Sequence, residues 1–129
     1  MTVERIQPQG LRKSPVYAHV VKAGNTIYVA GQVAQDESGQ VIGRGDITAQ
    51  ATQVFENLSK ALTAAGASFS DLVKITIFIT DPRFREPLGK VRTSALPRLA
   101  MAISGSFTCP PTVTGRVRRG RAAPRRSCW

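Results

Sequence analysis

At 129 residues the chain suffices for one domain with a single core, and its 42% apolar content contains no run of the roughly eighteen apolar residues that a membrane span requires. The start, MTVERIQPQG, has no apolar stretch behind its charges, and Cys109 and Cys128 lack metal-ligand spacing, so neither a secretory leader, a disulfide scaffold nor a zinc site is expected, and the expected location is the cytoplasm. The net charge of +10 is lopsided: residues 1–86 hold nine Lys or Arg against all eight acids, whereas 87–129 hold nine and none, so the basic character belongs to the final third.

Residues 16–22, VYAHVVK, alternate loosely and meet the turn cluster Ala23, Gly24 and Asn25 before a second apolar run, TIYVAGQV; together they predict a hairpin. QDESG, from Gln35 to Gly39, is a second turn, after which Val41 and Ile42 return as a short third strand. Asp36 and Glu37 read as solvated turn formers rather than as metal ligands or a catalytic acid pair. A helix follows Asp46, whose carboxylate can accept from an orphan amide at the helix start. Ile47, Ala51, Val54, Leu58, Ala61, Leu62 and Ala65 recur at spacings of three and four, and Gly66 supplies the left-handed stop. Next, DLVKITIFITDP sets Ile75, Ile77 and Ile79 on one side of a strand and Lys74, Thr76, Phe78 and Thr80 on the other, ending at Asp81 and Pro82. The isoleucines are expected to pack under the helix, and the mixed opposite face suggests an oligomer interface.

Residues 84–96 predict a second helix on the stripe Leu88, Val91, Ala95 and Leu96, with Pro87 tolerated in its first turn. Beyond Pro97, AMAIS offers one short strand and then the periodicity fails. The expected organisation is a single domain over 1–105 and a basic, disordered tail over 106–129, whose end, GRVRRGRAAPRRSCW, carries six arginines and no acid. So abrupt a loss of pattern after Arg92 is what an out-of-frame reading of a GC-rich gene produces; in that case the last strands of the sheet are lost and its edges left unpaired.

The element order, a leading hairpin followed by helix, strand and helix, predicts an α/β or α+β fold with two helices on one sheet. The landmarks Ala30-Gly31-Gln32, Gly45-Asp46, Gln50 and Gln53, Glu56-Asn57-Leu58, Ala65-Gly66-Ala67-Ser68 and Val73-Lys74, in that order, closely resemble the RidA family, also called YjgF or endoribonuclease L-PSP. The resemblance runs from about Pro15 to about Arg92. It implies an α+β, chorismate-mutase-like fold with one mixed sheet and two helices packed on one face, assembled as a homotrimeric barrel with active sites in the clefts between subunits. It also implies hydrolysis of reactive enamines and imines such as 2-aminoacrylate, releasing ammonia and a 2-keto acid, with neither metal nor cofactor.

Such chemistry needs a group to hold the substrate carboxylate and another to orient one water beside the C=N bond. By the resemblance Tyr17 and Arg98 are the catalytic candidates, and Tyr17, Ala30 and Gly31 the substrate-binding ones. Tyr17 otherwise reads as a half-buried strand aromatic, and Gly31 as a tight-packing or bulge glycine. Ala30 stands where the family has serine. Arg98 follows Pro97 directly, one position earlier than the family's arginine, an offset that turns a strand side chain to the opposite face and favours a solvated charge. No glutamate follows Glu86 to match the family's last-strand acid. His19, the single histidine, reads as structural or superficial.

The function expected is a RidA-like deaminase. Two alternatives stand beside it: a non-catalytic trimeric member that binds a small metabolite or a partner, and an RNA-binding or endoribonuclease activity. The folded part offers no stacking platform for bases, so RNA recognition would rest on the tail. The partners expected are a small enamine or imine substrate and two further copies of the chain, with no membrane partner and nucleic acid only through the tail.

Overall fold

The computed structural model describes residues 2–96 with their side chains and residues 102–107 as backbone. Two expectations fall outside them: the position of Arg98 and the state of the tail after Phe107. Five strands and two helices follow in the order β1 (Val3–Ile6), β2 (Val20–Ala23), β3 (Thr26–Val29), α1 (Ile47–Ala64), β4 (Lys74–Ile79), α2 (Arg85–Ala95) and β5 (Ala102–Phe107). Short 3-10 turns over Phe69–Asp71 and Pro82–Phe84 flank β4.

The predicted hairpin is β2 and β3, antiparallel with Ala23 opposite Thr26, so Gly24 and Asn25 alone make the turn. Gly24 adopts the positive φ of 59° that such a two-residue connection needs. Both strands are shorter than the apolar runs suggested. Pro15 has no amide to donate, and the Val16 amide goes to Ser14 Oγ at 3.3 Å, so the chain before Val20 bends instead of pairing and Tyr17 sits in a loop. After Val29 one more rung follows in the same register, the Ala30 amide donating to the His19 carbonyl at 2.9 Å, and the Gln32 side chain then donates to the Ala30 carbonyl at 3.0 Å. The third strand over 41–42 reduces to one bridge, Gln35 opposite Val41.

β1 was not foreseen. VERI carries two charges in four residues, which obscures any alternation, but it pairs antiparallel along the whole of β2 from Val3 opposite Ala23 to Ile6 opposite Val20. Ile6, Val20 and Val29 thus form one cross-strand row. Leu11, Ala61 and Ala65 close over that row to make the core, in which Val20 is wholly buried. Antiparallel and parallel pairing both occur, but among the described residues they fall in two separate sheets. One is β1-β2-β3, and the other is β4 parallel to β5 from Lys74 opposite Ala102 to Ile79 opposite Phe107. A parallel pair needs a crossover, and α2 supplies it.

Helix α1 starts where its cap requires: Asp46 Oδ1 accepts from the Thr48 and Ala49 amides at 3.0 and 3.1 Å. It ends in a paired closure, Gly66 N–H to Thr63 carbonyl and Ala67 N–H to Leu62 carbonyl, with Gly66 at φ 76°. Its buried face holds Ala51, Phe55, Ala61 and Leu62, and also Asn57. Phe55, absent from the predicted stripe, meets Phe69 edge-on at 6.5 Å. In β4, Ile75, Ile77 and Ile79 are half-buried and Lys74, Thr76 and Phe78 exposed, the predicted alternation. No helix among the described residues is long and apolar enough to cross a membrane.

Candidate functional site

The loop from Leu11 to Tyr17 and the segment after β3 from Gly31 to Asp36 face one another across a cavity of about 350 Å³, with Asn57 of α1 at its wall. Burying an amide such as Asn57 is costly unless every polar atom finds a partner, and here each does. Asn57 Nδ2 donates to the carbonyls of Val33 and Gln35 at 3.0 and 2.8 Å, and its Oδ1 accepts from Gln53 Nε2 at 3.0 Å. The helix thereby fixes the segment that carries Gly31.

His19, 6% exposed, fixes the other side. Its Nε2 lies 2.7 Å from the Arg12 carbonyl, and because a carbonyl only accepts, the ring proton sits on Nε2. Nδ1 is then an acceptor, and Gln32 Nε2 donates to it at 3.3 Å. The imidazole therefore ties the loop before β2 to the segment after β3. The Tyr17 ring packs edge-on against the imidazole at 5.2 Å while half of the residue remains open to solvent. Its phenol is anchored by an aromatic contact and left accessible.

The residues singled out from the sequence divide accordingly. Tyr17 and Gly31 line the same cavity. Ala30 is adjacent but engaged by its backbone with His19 and Gln32, and it does not line the cavity. A Cβ on Gly31 would meet nothing within 4 Å, so crowding inside the subunit does not explain the glycine. Asp36 behaves as the turn former expected of it. Its Oδ1 accepts from the Ser38 hydroxyl at 2.7 Å and the Gln40 amide at 2.9 Å, and these bonds, the hydroxyl first, hold its carboxyl below the usual carboxylate range. His19 is structural, one of the two readings the sequence offered, whereas the roles of Gln32 and Asn57 were missed. For Asn57 there was a signal: a polar residue three past Val54 and four before Ala61, inside the apolar stripe.

Among the described residues no group of three or more His, Cys, Asp or Glu is disposed to hold a metal. A shallower depression of about 610 Å³ between α1 and α2 includes Thr52, Glu56 and Lys90 but neither Tyr17 nor Gly31. It is larger, but we place the site in the smaller cavity because that one gathers a phenol, a buried imidazole and an open glycine.

The model of the endoribonuclease L-PSP family matches residues 9–105, well over half of the chain. The chain belongs to that family. The match runs past Arg92, where the family landmarks in the sequence give out, and takes in much of β5. A RutC family protein of Pyrococcus horikoshii is 42% identical over 65 residues, covering 50% of this chain and 52% of that protein. A 2-iminobutanoate/2-iminopropanoate deaminase of Dermatophagoides farinae is 36% identical over 81 residues, covering 61% and 63%. The chain thus spans about half to two thirds of the length of these relatives. Among solved structures, RidA from an Antarctic Psychrobacter species superposes with a TM-score of 0.75 at 32% identity, covering 84% of this chain and 89% of that one. The fold is accordingly the α+β fold of RidA.

Proposed function

We infer that the chain is a hydrolytic deaminase of small 2-imino acids, acting in the cavity between the Tyr17 loop and the Gly31 segment. The observation that carries this reading is the convergence of an accessible phenol, a glycine with open space above it and a buried imidazole on one small cavity, in a family with imino acid deaminases among its members. The reaction asks little of the protein. The imine carbon is already electrophilic, so a water oxygen bonds to it as the C=N π pair moves to nitrogen, which takes a proton. The carbinolamine then loses its C–N bond, the hydroxyl proton leaves, the carbonyl forms, and nitrogen departs with a further proton as ammonia. Tyr17 hydroxyl can hold the water and pass its proton. Gly31 leaves its backbone approachable by the substrate.

The site itself supplies a test. A Cβ on Gly31 would meet nothing within 4 Å and the residue lies outside the positive-φ region, so Gly31→Ala carries no strain from within the subunit. The expected outcome is an unchanged urea midpoint with turnover of 2-iminobutanoate reduced at least tenfold. Full turnover in the variant would remove the cavity from the reaction.

Assembly belongs to the same reading. Tyr28, Val73 and Phe78 are 62%, 79% and 66% exposed, an apolar load that favours a covering partner. Their proposed cover is two further copies of the chain in a trimer, with the cleft between copies completing the wall near Gly31.

A further inference from the structure

His19 is the single histidine of the chain and is buried, and the hydrolysis described above moves no proton through it. Two backbone carbonyls decide how its ring can be protonated. The Arg12 carbonyl lies 2.7 Å from Nε2 and takes the proton there. The Ala30 carbonyl acts through Gln32: it can only accept, so the amide atom 3.0 Å from it is Nε2 and not Oε1. That same nitrogen stands 3.3 Å from Nδ1 of His19 and offers it a hydrogen. The network is therefore complete with one ring proton.

A second proton, on Nδ1, would point at a donor. Turning the Gln32 amide over would present an oxygen instead, but would set that oxygen 3.0 Å from the Ala30 carbonyl, so one bond of the network is lost either way. The lost bond is the tie between the two walls of the cavity. Tyr17, on the loop before β2, packs its ring edge-on against the imidazole at 5.2 Å, and Gln32 follows Gly31 directly on the opposite wall. The titratable and charged side chains around the cavity are Arg12, Lys13 and Tyr17 from the loop and Asp36 from the segment after β3, while α1 contributes the uncharged Asn57. Asp36 is engaged by Ser38 and Gln40, and the imidazole bonds only to Arg12 and Gln32 among the described residues, so no carboxylate is placed to receive the second proton.

We propose that His19 is a pH-responsive positioning residue: with one ring proton it holds Tyr17 and the Gly31 segment across the cavity, and a second proton parts them. The sign follows from the bonds. The closed arrangement belongs to the uncharged ring, so it is present at higher pH and lost as the imidazole charges. The role in turnover rests on the deaminase reading; the coupling of His19 to Tyr17 does not.

The experiment is an NMR titration of the full chain from about pH 8 to about pH 5, reading the histidine ring nitrogens together with the Tyr17 ring and the Gln32 side-chain amide. The ring proton should sit on Nε2 at the upper end, and the Tyr17 and Gln32 signals should move with the same midpoint as Nδ1. His19→Gln, which takes no second proton, should lose that step at Tyr17. Wild-type turnover of 2-iminobutanoate above buffer should fall about fivefold or more through the same midpoint, in kcat more than in KM, and the step should be missing from His19→Gln. A ring proton on Nδ1 at the upper end overturns the proposal, as does a ring that takes its second proton only when the fold is lost. Tyr17 or Gln32 signals that ignore the histidine, or a Tyr17 step that persists in His19→Gln, overturn it equally. If that variant does not fold, the wild-type titration decides alone. Coupled signals without turnover sink the deaminase reading alone, whereas turnover without coupled signals sinks the positioning role alone.

Discussion

Asn57 illustrates how much a single polar side chain can organise. It is 3% exposed and makes three hydrogen bonds, two of them to carbonyls in the segment after β3. Asn57→Ala leaves both carbonyls without that donor, and at about 1 kcal/mol per bond the expected loss is about 2–3 kcal/mol, read as a lower urea midpoint. Asn57→Asp should be worse, since a carboxylate would face the same two carbonyls. Asp36 makes a testable case of a different kind. Its folded pKa is depressed, so the order it gives its turn is fully present above the usual carboxylate pKa and lost as pH falls through the lower folded value. The Gln40 amide resonance should therefore titrate with a midpoint below 3.8, and a midpoint at or above it would mean the bond is not formed in solution.

At the scale of elements, legibility followed local chemistry. Helix α1 was readable because its cap, stripe and stop all agree, and it runs from Ile47 to Ala64 as expected between Asp46 and Gly66. Asp46→Ala should cost about 1 kcal/mol through two lost cap bonds, and Gly66→Ala about 1 kcal/mol through the left-handed backbone. The two sites are a helix length apart, so calorimetry on the double variant should give close to the sum. Strand β1 was not readable, because Glu4 and Arg5 break its pattern and its pairing with β2 is supplied by residues more than ten positions away. The bend that moves Tyr17 out of a strand depends on Pro15, which has no amide to pair, and on Ser14 Oγ accepting the Val16 amide, details that an alternating apolar pattern conceals. The candidate site was half legible: the resemblance pointed to Tyr17 and Gly31 and Asn57 showed as a polar break in the stripe of α1, but the His19–Gln32 bond and the carbonyl partners of Asn57 are tertiary and leave no spacing to read.

For the whole molecule, the charge divides the chain more sharply than the fold does. The basic residues concentrate after Lys90, and the final fifteen residues hold six arginines, so any RNA affinity should fall steeply with salt and vanish on deletion of 115–129. Affinity surviving that deletion would return nucleic acid to the folded part. The family match reaching residue 105 narrows the stretch in which the pattern fails to the residues beyond 105, within the end of β5. A nucleotide sequence whose alternative frame beyond that point encodes a Val-Glu-type strand would support a shifted frame, and one that does not would contradict it. The central claim, that the cavity at Tyr17 hydrolyses imino acids, is tested most directly by the rate at which 2-iminobutanoate, generated in situ, becomes 2-oxobutanoate and ammonia with wild-type protein and with Tyr17→Phe. The account predicts acceleration over buffer by the wild type and a loss of tenfold or more in the variant, with KM little changed. No acceleration by the wild type, or full activity in Tyr17→Phe, would contradict it.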